Sequence, residues 1–584
     1  MNWNKLGEIR PNQLITTYGP GAIMDALHDS VTILDIDYWK STGNTIIDLR
    51  LANYLGVYNF KKPQTSDWDD IPMVSFPYYH VCKNIKCHRL FDIRVGFDRD
   101  KYIRDKGPKC PDCGWDAYPA RFIVACEDGH MDDFPWSWWV HDGQVGCNGK
   151  MKLYSTGKSS SLSEMQVECC TCGAKRSMAG AMQRENLGGM LCSGHHPHRP
   201  LVKNKNCKKM ANPTQRGASN VYFPVIRSAI SIPPWTDPIN DIISNNLPTI
   251  EAFEADFGEL GLQKAYERYF QERYTRQEFD DAYKRVKDKI KEFVVIKEME
   301  YAAITNHDDL AFRRDYKYFK AEEVPVKTSL ARYFSRLIKI HRLREVMVLL
   351  GFMRMEAPEP DVNDPKHICK LNKGTGKDAW LPAVEVHGEG VFIELNRDTI
   401  NEWKQMPAVS TLSDKYSQLY AEYCREKEWT VHGVRDGEYV LLHTLAHLLI
   451  KEMAMQSGYS SAALKERIYS SEKMCGILIY TGSSDKEGSL GGLVELGNWD
   501  KFIFILREAL QNALTCTTDP ECFMNMPQKD RINGAACHSC TMISETACEN
   551  GNRMLDRALV VPVPEREELG FFRELIGELC GIRI

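Results

Sequence analysis

The residues best suited to chemistry in this sequence are cysteines near its C-terminus. Cys537 and Cys540 are separated by two residues, which lets both thiols turn onto one metal ion through a tight knuckle. Cys516 and Cys522 precede this pair and Cys548 follows it, so five cysteines surround a site that needs four. Tetrahedral Zn²⁺ accepts thiolates well and has no redox chemistry. We predict that zinc binds Cys522, Cys537, Cys540 and Cys548, and that Cys516 is the spare thiol.

A second set of cysteines has the spacing of a zinc ribbon. Cys82-x4-Cys87 and Cys110-x2-Cys113 are separated by 22 residues, which is enough chain for a hairpin between two ligand turns. We predict that these four thiols share one zinc ion.

The same cysteine-rich block predicts a further site, although its ligands are more widely spaced. The predicted ligands are Cys169, Cys172, Cys192 and Cys207, and the adjacent Cys170 could replace Cys169. Cys126, His130 and Cys147 lack an obvious fourth ligand, so we interpret them as buried thiols and a hydrogen-bonded histidine. The expected cofactor is therefore Zn²⁺, at two or three sites.

A histidine pair lies on the apolar helix predicted for EYVLLHTLAHLLIKEMAMQ. His443 and His447 are four residues apart and share one helix face. A zinc hydrolase of the HExxH kind needs a glutamate after the first histidine, where this chain has Thr444. Lys451 continues the same row and disfavours a bound cation. We interpret both histidines as hydrogen-bonded packing residues.

Two acidic pairs are the basis of an alternative reading as a metal-dependent nuclease. Asp132 and Asp133 precede an aromatic cluster, and Asp485 and Glu487 lie in a Gly-rich turn. Hard cations bind such oxygens, but neither pair has a further ligand or base at a suitable spacing. We expect no catalytic role for these residues.

The segment KGTGKD does not form a nucleotide-binding loop. Leu371 occupies the position of the first glycine of a GxxxxGK[ST] motif, and Asp378 stands where the motif has Ser or Thr. We therefore expect a protein that is not an enzyme.

Length and composition describe a large, ordinary globular protein. The chain has 584 residues, of which 43% are hydrophobic and 26% charged, so we expect three or four domains. The net charge of −5 argues against a globally basic nucleic-acid binder. The 20 cysteines cluster at metal-ligand spacings, and no apolar run is long enough for a membrane span. We expect a cytoplasmic protein without membrane association.

The sequence as a whole predicts a mixed α+β fold with several domains, which must hold these ligands in place. It combines zinc-ribbon modules, a charged helical region and an α/β C-terminal zinc-binding domain. We divide the chain into a mixed α/β segment at 1–75, a zinc-ribbon region at 76–210, a strand and linker at 211–245, the charged helices at 246–345 and the zinc-binding domain at 346–584. In the last domain, LPAVEVHGEGVFIEL predicts two strands that turn at Gly388 and Gly390.

The charged helical region interleaves tyrosines with basic residues. Acidic residues are mixed in, so a solvated helix face is the default interpretation. Basic residues alternating with tyrosines are also typical of surfaces that follow a nucleic-acid backbone. The candidate DNA contacts are Lys284, Arg285, Lys287 and Lys289.

Several stretches resemble the DrmB family, the helicase-associated component of the bacterial DISARM anti-phage system. They include QLITTYGPGAIMD, RFIVACEDGHMDDFPW, RGASNVYFPVIRSAISIP, LLHTLAHLLI and GAACHSCTMISETACENGNRMLDRALV. The C-terminal part is also similar to the MrfA-type zinc-binding domain found at the ends of some DNA helicases.

The resemblance implies a non-enzymatic subunit of a hetero-oligomer. Its partner would be a DrmA-like helicase, and the pair would engage DNA together. The zinc ligands that the resemblance carries over are Cys522, Cys537, Cys540 and Cys548. The other classes of function are the metal-dependent nuclease and a structural scaffold without DNA contact.

Overall fold

A computed structural model describes most of the chain. The described residues are 8–40, 42–64, 71–105, 107–144, 146–157, 161–202, 206–307, 317–358, 368–429, 433, 435–482 and 491–580. They form helices and sheets in several units, so the predicted mixed, multi-domain fold class is confirmed.

The N-terminal unit is built from short elements. They are α1 (Pro11–Thr16), β1 (Ile23–Asp25), β2 (Ser30–Ile33), β3 (Thr42–Ile46), α2 (Leu49–Leu55), β4 (Asn59–Pro63) and β5 (Met73–Ser75). Strands β1, β2 and β5 form an antiparallel sheet with β2 in the middle. The carboxylate of Asp48 caps α2 by accepting the backbone N–H of Leu51, and Gly56 ends this helix in the left-handed region.

The cysteine-rich unit follows as two small antiparallel sheets. Its elements are β6 (Tyr79–Cys82), β7 (Arg89–Asp92), α3 (Arg99–Arg104), β8 (Ala117–Pro119), β9 (Phe122–Ala125), β10 (Met131–Asp133), α4 (Trp136–Val140), β11 (Met151–Ser155), β12 (Met165–Cys169), β13 (Lys175–Ser177) and β14 (Asn212–Gln215). One sheet has the order β13-β12-β11-β7-β6-β8 and the other has the order β10-β9-β14. Phe134, Trp136 and Trp139 are buried in the core of this unit, where they fill a thin interior.

A large sheet then links the parts of the chain. Its strands are β15 (Phe223–Ile230), β16 (Lys320–Val324), β17 (Phe334–Met353), β18 (Cys369–Lys370), β19 (Trp380–Leu395), β20 (Leu464–Ser471) and β21 (Met474–Thr481). The order is β15-β17-β19-β21-β20, with β16 and β18 paired to β17. Strand β4 joins this sheet by pairing in parallel with β19, and it brings β3 with it. The sheet thus takes strands from four of the five segments into which we divided the sequence.

The region of charged helices ends earlier in the chain than the sequence predicts. They are α5 (Pro238–Phe257), α6 (Glu259–Tyr269), α7 (Arg276–Lys287) and α8 (Phe293–Thr305). The prediction of a helical region to residue 345 is corrected, because residues 320–324 and 334–345 are strand. The alternation in FSRLIKIHRL points Leu337 and Ile338 into different cores, as expected of a strand covered on both faces.

The predicted turn at Gly388 and Gly390 is wrong, because β19 runs straight through both residues. A Cβ on Gly388 would lie 1.6 Å from the carbonyl oxygen of Thr481, and one on Gly390 would lie 2.7 Å from that of Ile479. The glycines therefore allow β21 to approach β19 closely, and they do not mark a turn.

The C-terminal helices cover one face of the large sheet. They are α9 (Arg397–Lys404), α10 (Pro407–Glu426), α11 (Gly437–Ser457), α12 (Gly492–Glu495), α13 (Trp499–Ala513), α14 (Glu521–Met524) and α15 (Arg573–Cys580). The predicted apolar helix is confirmed as α11, which begins after the cap residue Asp436 and ends before Gly458. Most residues of α11 are buried, so it is the central helix of this core.

Candidate metal centres

The predicted ribbon thiols lie together at the edge of the six-stranded sheet. Cys82 ends β6, Cys87 precedes β7, and Cys110 and Cys113 form the knuckle before β8. The Sγ–Sγ distances are 3.4 Å for Cys82–Cys113 and 3.7 Å for Cys87–Cys110. With zinc–sulfur bonds of about 2.3 Å, thiolates at the corners of a tetrahedron lie about 3.8 Å apart. The four thiols therefore fit one zinc ion.

Hydrogen bonds in this group favour the thiolate form of Cys113, the exposed member of the four. The backbone N–H of Trp115 hydrogen-bonds Cys113 and lowers the pKa of that thiol to about 7. Cys82 also accepts the backbone N–H of Asn84 at 3.4 Å. Backbone N–H groups aimed at sulfur stabilise thiolates, which are the form that binds zinc.

The second predicted group is divided between two sites, and this corrects our grouping of Cys169 and Cys172 with Cys192 and Cys207. The structure places Cys192 and Cys207 against Cys126 and His130, with all four ligand atoms within 4.8 Å of one another. The hairpin of β9 and β10 holds Cys126 and His130, whose Sγ and Nδ1 atoms are 3.2 Å apart. This corrects our interpretation of these two residues as a buried thiol and a hydrogen-bonded histidine, because both belong to a group of four possible ligands.

Cys169 and Cys172 belong to a separate group with His141 and Cys147. The Sγ atoms of Cys147 and Cys169 are 3.6 Å apart, and Nε2 of His141 is 3.3 Å from Sγ of Cys172. His141 Nδ1 donates to the carbonyl oxygen of Ser137 at 2.7 Å, which leaves Nε2 as the ligand atom. Cys170 is exposed and is not in this group.

The C-terminal cysteine site also has a different fourth ligand from the predicted one. Its members are Cys516, Cys522, Cys537 and Cys540. The Sγ distances are 3.4 Å for Cys516–Cys537 and 3.6 Å for both Cys522–Cys540 and Cys537–Cys540. Hydrogen bonding from Cys522 lowers the pKa of Cys540 to about 5, which favours its thiolate.

Cys548, the fourth ligand in our prediction, lies elsewhere. Its Sγ is 3.2 Å from Nε2 of His443 on α11, in a group with His447 and Glu466. Cys516 therefore takes the place we gave to Cys548. Sequence spacing could not decide between them, because both cysteines are within reach of the knuckle at Cys537.

The acidic pairs proposed for a nuclease have structural partners or lie outside the described residues. Asp133 accepts the backbone N–H groups of Tyr78 and Tyr79, and burial raises the pKa of this carboxyl to about 7. Asp132 accepts the hydroxyl of Ser193 at 2.7 Å. Asp485 and Glu487 fall within 483–490, outside the described residues.

The candidate DNA contacts lie at the C-terminal end of α7 and just beyond it. Lys284 and Lys289 are exposed. Lys287 pairs with Glu254 at 2.7 Å, and burial lowers the pKa of Arg285. Asn53 of the N-terminal unit binds the carbonyl of Val286, which fixes this end of the helix in place.

Comparisons with known proteins agree with a zinc-binding architecture. Residues 445–541 match the MrfA Zn-binding domain, and these residues include the four thiols of the C-terminal cysteine site. Residues 10–223 match a domain of unknown function, DUF8724, which contains the three other cysteine-rich groups. The chain is thus a multi-domain zinc-binding protein with a C-terminal domain of the MrfA type, and zinc is confirmed as its cofactor.

One relative covers almost the whole chain. It is the DISARM protein DrmB of Bacillus paralicheniformis, which is 45% identical over 571 residues, 95% of this chain and 100% of the relative. The chain belongs to the DrmB family, as the resemblance in the sequence implied. In the described residues, no helix is both long and apolar enough to cross a membrane.

Proposed function

We propose that this chain is a non-catalytic subunit of a bacterial anti-phage defence complex, in which it binds a DrmA-like helicase and helps it engage DNA. The observation that carries this proposal is the 45% identity over 95% of the chain to a DISARM protein. Co-expression of the tagged chain with the DrmA-like helicase of the same defence system tests the partnership. Elution of both proteins as one complex is expected, and separate elution at low salt would refute it.

The architecture supports a positioning role. Zinc ions hold loops that have too little apolar surface to form a core of their own. The large sheet takes β3 and β4 from the N-terminal unit, whose Asn53 donates to the carbonyl oxygen of Val286 on α7. Arg354, just after β17 of the same sheet, donates to the carbonyl oxygen of Gly129 in the zinc-bearing hairpin of β9 and β10. In this proposal, ATP hydrolysis belongs to the partner and this chain supplies a shaped surface beside the DNA.

The surface best suited to DNA is the segment of residues 284–291, which we call the basic segment. Five of its eight residues are basic and only Asp288 is acidic. Lys284, Lys289 and Lys291 are exposed, which suits contact with phosphates. Lys287 and Arg285 are less available, because one is paired with Glu254 and the other is partly buried.

We expect reversal of the exposed charges in the basic segment to weaken DNA binding by the complex. The change is Lys284→Glu, Lys289→Glu and Lys291→Glu together. Each lost phosphate contact flattens the log–log dependence of affinity on salt by roughly 0.7 to 0.9, so a total change of about 2 to 3 is expected. Fluorescence anisotropy with labelled DNA across a salt series measures both affinity and slope.

A matched triple variant controls for net charge. Lys320, Lys473 and Lys501 are also exposed, and their change to glutamate alters the net charge by the same amount. This control should keep the wild-type slope. Equal slopes in all three proteins would place the DNA on the partner or on the zinc modules, and the basic segment would then be a spacer or a protein contact.

The isolated chain is expected to lack ATPase and nuclease activity. The motivation is the failed motif match at Leu371 and Asp378, together with the backbone contacts that occupy Asp133. Labelled DNA with Mg²⁺ or Mn²⁺, and phosphate release from ATP, are the measurements. DNA cleavage that persists through repeated purification and is lost in an Asp132→Asn variant would make the chain a nuclease. Phosphate release from ATP that persists in the same way would contradict the expected lack of ATPase activity.

A further inference from the structure

A second kind of ligand cluster lies inside the C-terminal unit, away from the four-cysteine site. It consists of His443 and His447 on α11, Glu466 on β20 and Cys548 on the loop that follows the cysteine knuckle. We call these four residues the mixed cluster. Their ligand atoms all lie within 4.8 Å of one another, although they come from three separate parts of the chain.

The mixed cluster is enclosed by protein. The side chains of His443, His447 and Glu466 have no exposed surface, and Cys548 is 9% exposed. Two imidazoles, a carboxylate and a thiol rarely share such a place without a cation, because each buried polar group needs a partner. Oε2 of Glu466 has no hydrogen-bond partner among the described residues.

The hydrogen bonds of the two histidines fix which ring nitrogen faces the cluster. Nδ1 of His443 lies 3.3 Å from the carbonyl oxygen of Met554, and Nδ1 of His447 lies 2.9 Å from that of Thr541. A carbonyl oxygen only accepts, so each Nδ1 carries the proton. With the proton on Nδ1, the neutral form of each ring presents the lone pair of Nε2 to the cluster, as zinc-bound histidines do.

These lone pairs point at other electron-rich atoms. Nε2 of His443 is 3.1 Å from Oε1 of Glu466 and 3.2 Å from Sγ of Cys548, and Nε2 of His447 is 3.3 Å from the same carboxylate oxygen. Acceptors held this close repel one another unless a proton or a metal cation lies between them. Around zinc, ligand atoms at bond lengths of about 2.0 to 2.3 Å are separated by roughly 3.3 to 3.6 Å.

Backbone groups hold the sulfur of Cys548 in place. Its Sγ accepts the backbone N–H groups of Asn550 and Asn552, both at 3.2 Å. Oε1 of Glu466 accepts the backbone N–H of Glu549 at 3.0 Å, so a neighbouring residue also orients the carboxylate. Such contacts around the ligands are characteristic of protein metal sites.

Lys451, which we took as evidence against a cation, does not face the mixed cluster. Its Nζ donates to the carbonyl oxygens of Ser539 and Cys540, at 3.2 and 2.7 Å. The lysine therefore binds the neighbouring cysteine knuckle, and the histidine row ends at His447.

We propose that His443, His447, Glu466 and Cys548 bind a zinc ion of their own and that this ion fastens the C-terminal loop to α11 and β20. A thiolate and a carboxylate, together with two neutral imidazoles, balance the charge of a dication, which suits an enclosed site. Thiolate and imidazole ligands select zinc over calcium and magnesium. Four protein ligands complete the tetrahedron, so the ion is structural and has no open position for substrate.

Metal analysis of the purified full chain with Glu466→Gln tests the proposal. The amide is similar in size but lacks the charge, so we expect zinc content to fall by about one equivalent per chain. Cys540→Ser should remove about one equivalent from the other site, and the double variant should lose about two. An unchanged zinc content in Glu466→Gln would overturn the proposal. The matched control is His307→Gln, at a histidine whose Nδ1 lies 2.9 Å from the carbonyl oxygen of Ile304.

A second measurement does not depend on any variant folding. Crystals of the wild-type chain, measured above and below the zinc absorption edge, give an anomalous difference map. A peak between the ligand atoms of the mixed cluster is the expected result. Peaks at the four cysteine-rich groups without one at the mixed cluster would show that His443 and His447 are packing residues after all.

Discussion

Replacement of Cys537 and Cys540 by serine is expected to remove one zinc ion and much of the stability of the C-terminal unit. Both thiols belong to the same four-sulfur group, and serine is a poor zinc ligand at neutral pH. Structural zinc contributes roughly 10 to 16 kcal/mol in small zinc-dependent folds, so the loss should amount to several kcal/mol. Zinc content and thermal unfolding of the purified chain are the measurements.

The effect should spread beyond the knuckle itself. The carbonyl of Cys540 accepts Lys451 on α11, and the carbonyl of Thr541 accepts His447 on the same helix. Loss of the zinc ion therefore loosens contacts of the central helix. Cys170→Ser is the control, because this exposed thiol does not belong to the four-sulfur group of Cys537 and Cys540. A similar loss of zinc in both variants would contradict the assignment.

Local spacing was enough to group the ribbon thiols, and the reason is geometric. Cys82 and Cys87, like Cys110 and Cys113, are close in sequence, and only strand β7 and the short helix α3 lie between the two pairs. A tight turn determines most of such a site before the rest of the chain folds. Helix α11 was also predictable from local sequence, because its long run of apolar residues has to be buried.

The two groups between residues 126 and 207 could not be sorted from spacing because they are nested. The pair Cys126 and His130 closes on Cys192 and Cys207, whereas His141 and Cys147 close on Cys169 and Cys172 between them. Sequence order suggests that a pair closes on the next pair along the chain. The number of possible ligands was a usable signal, because the segment contains four pairs of them and two zinc ions need eight ligands.

His141 was missed, and His447 was interpreted as a packing residue, for a different reason. A histidine that binds metal almost always has its other ring nitrogen held by a hydrogen bond, and the partners of His141 and His447 are backbone carbonyls. Carbonyls leave no mark in the sequence. The choice of Cys516 over Cys548 likewise depends on β20, which places Glu466 beside His443 and so gives Cys548 different neighbours.

The extent of the helical region was misjudged because charge was given more weight than periodicity. Residues 334–353 contain several basic residues, which continue the composition of the helices before them. Their apolar residues nevertheless alternate at the start and then run continuously, as expected of a strand buried on both faces. The long strand β17 is what joins the N-terminal and C-terminal cores.

Arg354 lies just after β17, and its replacement by methionine is expected to destabilise the junction of three units. The guanidinium is 1% exposed and donates to the carbonyl oxygens of Gly21, Gly129 and Val221, at 2.9, 3.0 and 2.5 Å. These carbonyls belong to the N-terminal unit, the hairpin of Cys126 and His130, and the chain before β15. Burial lowers the pKa of Arg354 to about 10, so the group remains charged at neutral pH.

Methionine fills a similar volume but leaves three buried carbonyl groups without a donor, which should cost about 3 to 5 kcal/mol. Chemical denaturation of the full chain measures the loss. Arg332→Met is the matched control, because Arg332 is 59% exposed and pairs with Glu574, a surface contact that contributes about 1 kcal/mol or less. A lower zinc content would show that the effect of the substitution reaches the hairpin around Gly129, because this hairpin holds two ligands of one zinc site. Equal stability of the Arg354 and Arg332 variants would mean that the three units are held together by their apolar contacts alone.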